Sequence, residues 1–256
     1  QPIQTSQFPT LTYINSGSGP VIVLIHGFPA DSSLWDDVWP SLSQQFTVIM
    51  PDLPGVGQSK LAGSELTMEL MAESVKLILE HEKIAKAVVA GHSMGGYTAI
   101  AFAELYPQML TGLSFIHSVV SADNEEKKET RRKSIQLLEK DKGKEGFVKE
   151  MIPKLFAKSF KEAHPEVLQQ QTDKAMQVSA EAMISFYNGM IMRPDRTEVL
   201  KTADFPVQFI IGKEDNVVPV ASSLQQSTLA GVNFVSVYPD VAHMAMLENP
   251  EGLVKD

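Results

Sequence analysis

Val21-Ile22-Val23-Leu24-Ile25 is an unbroken apolar run, mostly β-branched, with no polar alternation. A strand with one wet face alternates apolar and polar residues; an unbroken run of this length fits a strand buried on both faces. The signal repeats at Phe46 to Met50, Ala87 to Ala90 and Leu113 to Ile116, and returns at Val207 to Ile211 and Asn233 to Tyr238. Amphipathic stretches separate the early runs, about Ser32 to Gln44, Thr67 to Glu82 and Met94 to Tyr106. The second puts Leu70, Met71, Ser74, Leu77 and Ile78 near one helical face. The third stops before Pro107, whose ring clashes with a helical predecessor. Buried strands separated by helices need parallel crossovers, which predicts an α/β fold: a mostly parallel sheet with helices on both faces. Thr10 to Asn15 reads as an added antiparallel edge.

From about Ser121 to Arg196 no segment reads as a buried strand. Asp123 to Lys133 mixes both charges densely and reads as a solvated helix face. Helical stretches follow around Lys144 to Phe160, Pro165 to Ala175 and Ala180 to Met190. The expected organisation is a core of residues 1–120 and 197–256 with a helical cap inserted at 121–196. On the last helix Met183, Phe186, Tyr187 and Met190 share one face by their spacing. That face either packs the cap onto the core or lines an apolar, adaptable pocket.

Composition excludes several functions. With 22 Lys plus Arg against 31 Asp plus Glu, the net charge is −9. Nucleic acid and anionic membrane, which need clustered basic residues, are therefore not expected partners. The absence of cysteine removes disulfides, thiolate metal sites and cysteine nucleophiles. No apolar run reaches the length of a membrane span, and the N-terminal residues lack a signal-peptide pattern. A cytoplasmic protein acting on a small molecule is the expectation; the oligomeric state is open.

The sharpest local signal is Gly91-His92-Ser93-Met94-Gly95, placed between an expected strand and an expected helix. That context is what a nucleophile elbow requires, with the serine oxygen exposed beyond the carboxyl end of the sheet. Ser93 is the candidate nucleophile. A serine alcohol needs a positioned base, and His243, just past the last expected strand, is placed to serve. His26 and His92 sit in glycine-flanked turns and read as packing or supporting residues. His117 ends a strand on the active face, where it either packs or touches substrate. The third group, which orients the histidine, is Asp215 beyond the strand Val207 to Ile211, with Glu214 and Asp123 as rivals.

Four motifs carry a resemblance over essentially the whole chain: His26-Gly27-Phe28-Pro29, Asp52 to Ser59, the elbow, and Gly212 to Asp215 followed by the His243 loop. The chain resembles the α/β-hydrolases, in which the acid and base follow the serine in this order. The resemblance implies an oxyanion hole built from the backbone N–H groups of Phe28 and Met94; the candidate pocket residues, from their placement in the sequence, are His117, Phe186, Tyr187 and Met190. It implies no metal and no organic cofactor. His-Gly-Phe-Pro with Trp35 close behind is also similar to epoxide hydrolases and haloalkane dehalogenases, but those use an aspartate where this chain has Ser93. Acyl transfer to water remains the implied chemistry, with carboxylesterase as the default. C–C bond hydrolases, lactonases, thioesterases and perhydrolases use the same triad, and a slow-turnover ligand receptor on this fold is the alternative.

Overall fold

A computed structural model describes residues 2–61, 63 and 65–256. Eight strands form one sheet: β1 (Pro2–Ile3), β2 (Leu11–Gly17), β3 (Val21–Ile25), β4 (Thr47–Asp52), β5 (Ala87–His92), β6 (Leu110–Ile116), β7 (Val207–Gly212) and β8 (Asn233–Tyr238). Their spatial order is β1-β2-β4-β3-β5-β6-β7-β8. The β1–β2 and β2–β4 pairs are antiparallel, and every later pair is parallel. The unbroken apolar run of β3 is explained by its place: Ile22 pairs with Val48 on one side and Val88 on the other, and Val23, Leu24 and Ile25 are buried. One ring pair, Phe115 on Phe209 with centroids 5.4 Å apart, stacks across the neighbouring β6 and β7.

The crossovers are helical. After α1 (Trp39–Leu42) come α2 (Met68–His81) and α3 (Met94–Leu105). Thr67 Oγ1 accepts from the Leu70 N–H at 3.2 Å and starts α2; Glu69 sits in its first turn, with the sign the helix dipole favours. The single helix expected over Ser32 to Gln44 is instead a 3-10 turn, Ser32–Trp35, and the one-turn α1. Pro40 explains the break, because it lacks an N–H and is tolerated only in a first helical turn.

Between β6 and β7 lie α4 (Glu125–Leu138), α5 (Gly143–Met151), α6 (Lys158–Ala163), α7 (Pro165–Gln177), α8 (Ala180–Met192) and the short α9 (Thr197–Lys201). The expected helix over Lys144 to Phe160 is divided by a 3-10 turn, Ile152–Leu155, which carries Pro153 near its start. After β7 come α10 (Val220–Gln226), α11 (Ala245–Glu248) and α12 (Pro250–Lys255). Among the described residues no helix is long and apolar enough to cross a membrane.

The two ends of this helical stretch meet. The Arg196 N–H donates to Val120 O at 3.1 Å. The Arg193 guanidinium donates to Asp123 Oδ1 and to Ser121 O, both at 2.9 Å, and lies 3.8 Å from the centre of the Tyr97 ring on α3. Arg131 Nε donates to the other Asp123 oxygen at 2.5 Å. The α4 face read as fully solvated therefore turns one cation inward. It also removes Asp123 as a rival triad acid, since both its oxygens are committed to arginines.

Burial alone would raise the Asp123 carboxyl, but Arg193 and Arg131 outweigh it and hold it down at about 2, against an ordinary 3.8. A depressed carboxyl stabilises the fold above its unfolded value and loses that contribution as pH falls through the folded one. Asp123→Asn is expected to cost about 3–5 kcal/mol near neutral pH by stranding buried cations. Urea unfolding from pH 5 down to pH 2 should show the gap between variant and parent narrowing; a constant gap would refute the ion-pair account.

Candidate active site

The elbow is a consequence of two backbone approaches. β5 ends at His92, α3 begins at Met94, and Ser93 between them has φ 51°, ψ −114°. A non-glycine residue so placed costs on the order of 1–3 kcal/mol, so the surroundings must enforce it. A Cβ on Gly91 would stand 2.2 Å from Gly95 O, and one on Gly95 would stand 2.3 Å from Ile25 O. Both glycines are thus required for the chain to double back and for the β3 turn to press against it. Ser93 itself is anchored by its backbone: its N–H donates to Ile116 O at 2.9 Å and its carbonyl accepts from Ser118 Oγ at 2.7 Å. The residue is half-buried, while its neighbours His92 and Met94 are buried.

The β3 turn carries Phe28. A Cβ at Gly27 would meet His92 Nδ1 at 2.5 Å, so this turn lies directly on the elbow. The first N–H groups of α3, beginning with that of Met94, have no intrahelical acceptor; the Gly96 N–H turns back to Ser93 O at 2.9 Å. Met94 directly follows Ser93, and Phe28 follows Gly27 on the turn that lies against His92.

Asp215 follows β7 and collects donors. Oδ1 accepts from the Val217 and Val218 N–H groups at 2.8 and 2.9 Å. Oδ2 accepts from His243 Nδ1 at 2.8 Å, and His117 Nδ1 lies 3.3 Å from the same oxygen. Burial opposes ionisation here, but the His243 charge and the imidazole contacts prevail and hold the carboxyl well below the usual range. Glu214 beside it is exposed, so of the three candidate acids Asp215 is the one that reaches His243.

His243 is held from four sides. Its N–H donates to Leu155 O at 2.9 Å, its carbonyl accepts from His92 Nε2 at 2.9 Å, and its ring is 4.9 Å from that of His92. With Nδ1 on Asp215, Nε2 is the nitrogen available to take a proton. Glu248 supplies the remaining restraint, accepting from the N–H groups of Ala242, Met244 and Ala157. Burial raises its pKa against those hydrogen bonds. Sequence reading missed Glu248; a carboxylate five residues beyond a candidate histidine, with no partner in sight, was the available signal. His92 performs the supporting role read for it. Burial first, then the neighbouring His243 and His117, push it far below the ordinary histidine value, so it stays neutral.

The other candidate pocket residues fall in different places. Phe28 meets Tyr187 with centroids 4.6 Å apart, and Phe147 and Phe186 at 6.3 Å each. Phe186 and Tyr187 therefore stand over the Phe28 turn. Met190 is drawn away: Arg131 Nη1 lies 3.1 Å from its sulfur. His117 is fully buried against Asp215, with Nε2 accepting from the Ala245 N–H at 3.3 Å, the packing alternative of its two readings. A narrow cleft beside the elbow is lined by Gly27, Phe28, Leu34, His92, Leu155 and Met244 among others.

The chain belongs to the alpha/beta hydrolase fold family, whose model matches residues 20–250. It is similar over its whole length to a thermophilic esterase from Thermogutta terrifontis, 30% identical, with a TM-score of 0.94 and 96% of that chain covered. A pyrrolizixenacetamide deacetylase of Xenorhabdus hominickii is 24% identical over 95% of this chain and 91% of its own. A shorter match, 39% identical over 101 residues, is to an uncharacterized protein of Mycobacterium tuberculosis; it covers 40% of this chain and 30% of that protein. The chain thus spans under a third of the length of that curated relative.

Glu248→Ala would leave three backbone N–H groups without their acceptor, at about 1–3 kcal/mol for each that stays dry. The expected result is a lowered melting temperature together with faster amide exchange at Ala242 and Met244. Unchanged exchange there would show that Glu248 does not hold the loop.

Proposed function

We propose that this protein is a serine hydrolase that cleaves a carboxylic ester, or a related acyl bond, of a small apolar substrate. The observation that carries the reading is the half-buried Ser93 on a strained elbow whose His92 holds the carbonyl of His243, a histidine with Nδ1 2.8 Å from a buried carboxylate. Asp215 fixes the tautomer of His243 and stabilises its imidazolium form. Ser93 Oγ attacks the substrate carbonyl as His243 Nε2 takes its proton. The N–H groups of Phe28 and Met94 receive the developing oxyanion, each such donor being worth about 3–4 kcal/mol at the transition state. His243 protonates the leaving alcohol, then activates the water that releases the acid.

The helical segment 121–196 acts in this reading as the cap. It reaches the site at three places: Leu155 O on the His243 N–H, the Ala157 N–H on Glu248, and Lys174 Nζ on Ser33 O at 3.3 Å. Its aromatic side chains around Phe28 favour apolar acyl groups and exclude water from the acyl-enzyme. The esterase neighbour supports ester hydrolysis as the reaction type.

p-Nitrophenyl butyrate should be turned over many times per protein molecule. Ser93→Ala should lower that rate by at least about a thousandfold with unchanged circular dichroism. Full activity in the variant would dispose of the serine mechanism. A burst that ends near one equivalent would replace the turnover enzyme with a slowly deacylating receptor.

A further inference from the structure

Asp215 has more than one histidine partner. His117 occupies the first position after β6, in the left-handed region at φ 51°, with its N–H on Ile210 O at 3.0 Å. A bulky residue there is strained, and the surroundings are shaped to hold it. A Cβ on Gly212 would stand 3.0 Å from His117 Cε1, so the end of β7 makes room for the ring. The ring is wholly buried, 5.6 Å from that of His243 and 6.2 Å from that of His92.

The tautomer follows from the partners. The Ala245 N–H donates to His117 Nε2 at 3.3 Å, so Nε2 carries no proton. Burial, outweighing the pull of Asp215, lowers the pKa of His117 and keeps the ring neutral. The single ring proton is therefore on Nδ1, which faces Asp215 Oδ2 from 3.3 Å. At that approach Nδ1 makes no full hydrogen bond, whereas His243 donates to the same oxygen at 2.8 Å.

We propose that His117 is a positioning residue that acts through Asp215, presenting its Nδ1–H to the oxygen that His243 uses and so moderating the basicity of His243. The inference rests on the assignment of His243 as the base. The groups that bear on that base are Asp215 from the β7 loop, His117 from the end of β6, His92 from the end of β5, and Glu248 from α11. Of these, His92 sends its proton to the His243 carbonyl and Glu248 is spent on backbone N–H groups. His117 is the neighbour whose N–H competes for Oδ2. A carboxylate relieved of that competitor interacts more strongly with the imidazolium, which raises the pKa of His243. A base must be deprotonated to act, so the acid limb of the rate profile moves to higher pH.

Two substitutions separate this role from simple packing. His117→Asn keeps an N–H at the same distance from Cα and tolerates positive φ, while His117→Leu removes the donor. Both lose the acceptor for Ala245, and Leu alone adds backbone strain at positive φ, so the comparison is of pH midpoints and not of rates. In kcat/KM against pH with p-nitrophenyl butyrate, the Leu variant should move the acid midpoint up by about half a unit, an about threefold loss well below it. The Asn variant should restore the parent midpoint. An unmoved midpoint in Leu, or equal movement in both, overturns the proposal. Nitrogen NMR of 15N-histidine-labelled parent protein tests it without turnover or mutation: His117 should be neutral with its proton on Nδ1 from pH 6 to 8, and an Nε2–H form would overturn it. Loss of Ser93 dependence defeats the hydrolase assignment itself, and is read independently in Ser93→Ala.

Discussion

The contact between Gly95 and the carbonyl of Ile25 sets the geometry on which the site depends. Because nothing larger than hydrogen fits at position 95, the first turn of α3 lies flush on the end of β3. Three consequences follow from that one approach. Ser93 is forced into positive φ and its side chain stands clear of the packed residues on either side. The β3 turn is drawn against His92, with Phe28 next in the chain after Gly27. The positive end of the α3 dipole then lies at the elbow, beside Ser93.

Much of this was legible in the residues. Unbroken apolar runs identify strands by their burial on both faces, and β3, β5 and β7 are flanked by neighbours on both sides. The G-x-S-x-G spacing is legible because its chemistry is local: two absent Cβ atoms within a single turn. Asp215 and His243 were legible as the acidic and imidazole groups following the last two strands, where parallel topology brings all loops to one edge. Neither assignment needed side-chain geometry.

What escaped reading has a common cause in long-range pairing. Glu248 draws its meaning from the N–H of Ala157, 91 positions away, and Arg193 from Asp123, 70 positions away. Periodicity carries no trace of either. The Met183 to Met190 face was read correctly as one face, yet its members divide: Phe186 and Tyr187 approach Phe28, whereas Met190 meets Arg131. A helical repeat specifies which residues lie on a side, but the neighbouring elements decide what each position along it meets. Similarly, the Ser32 to Gln44 periodicity concealed the interruption at Pro40, a covalent constraint that outweighs apolar spacing.

The distribution of imidazoles shows how burial and hydrogen bonding divide labour among chemically identical side chains. His26 accepts the Leu53 N–H on Nε2 at 3.0 Å, and burial pushes its pKa down. His92 donates from Nε2 to a carbonyl, and His117 accepts on Nε2 from an N–H. Each of these rings is committed by its environment to one neutral tautomer, and a dry neutral imidazole is far cheaper to keep than a dry imidazolium. His243 alone among these four has its Nδ1 hydrogen-bonded to a carboxylate, at 2.8 Å, the arrangement that makes the charged form tolerable. The neutral rings around it act as fixed dipoles that hold its backbone and share its counter-ion without contributing charge of their own. In the proposed mechanism, proton transfer from Ser93 is thereby directed to the imidazole whose partner can stabilise the product.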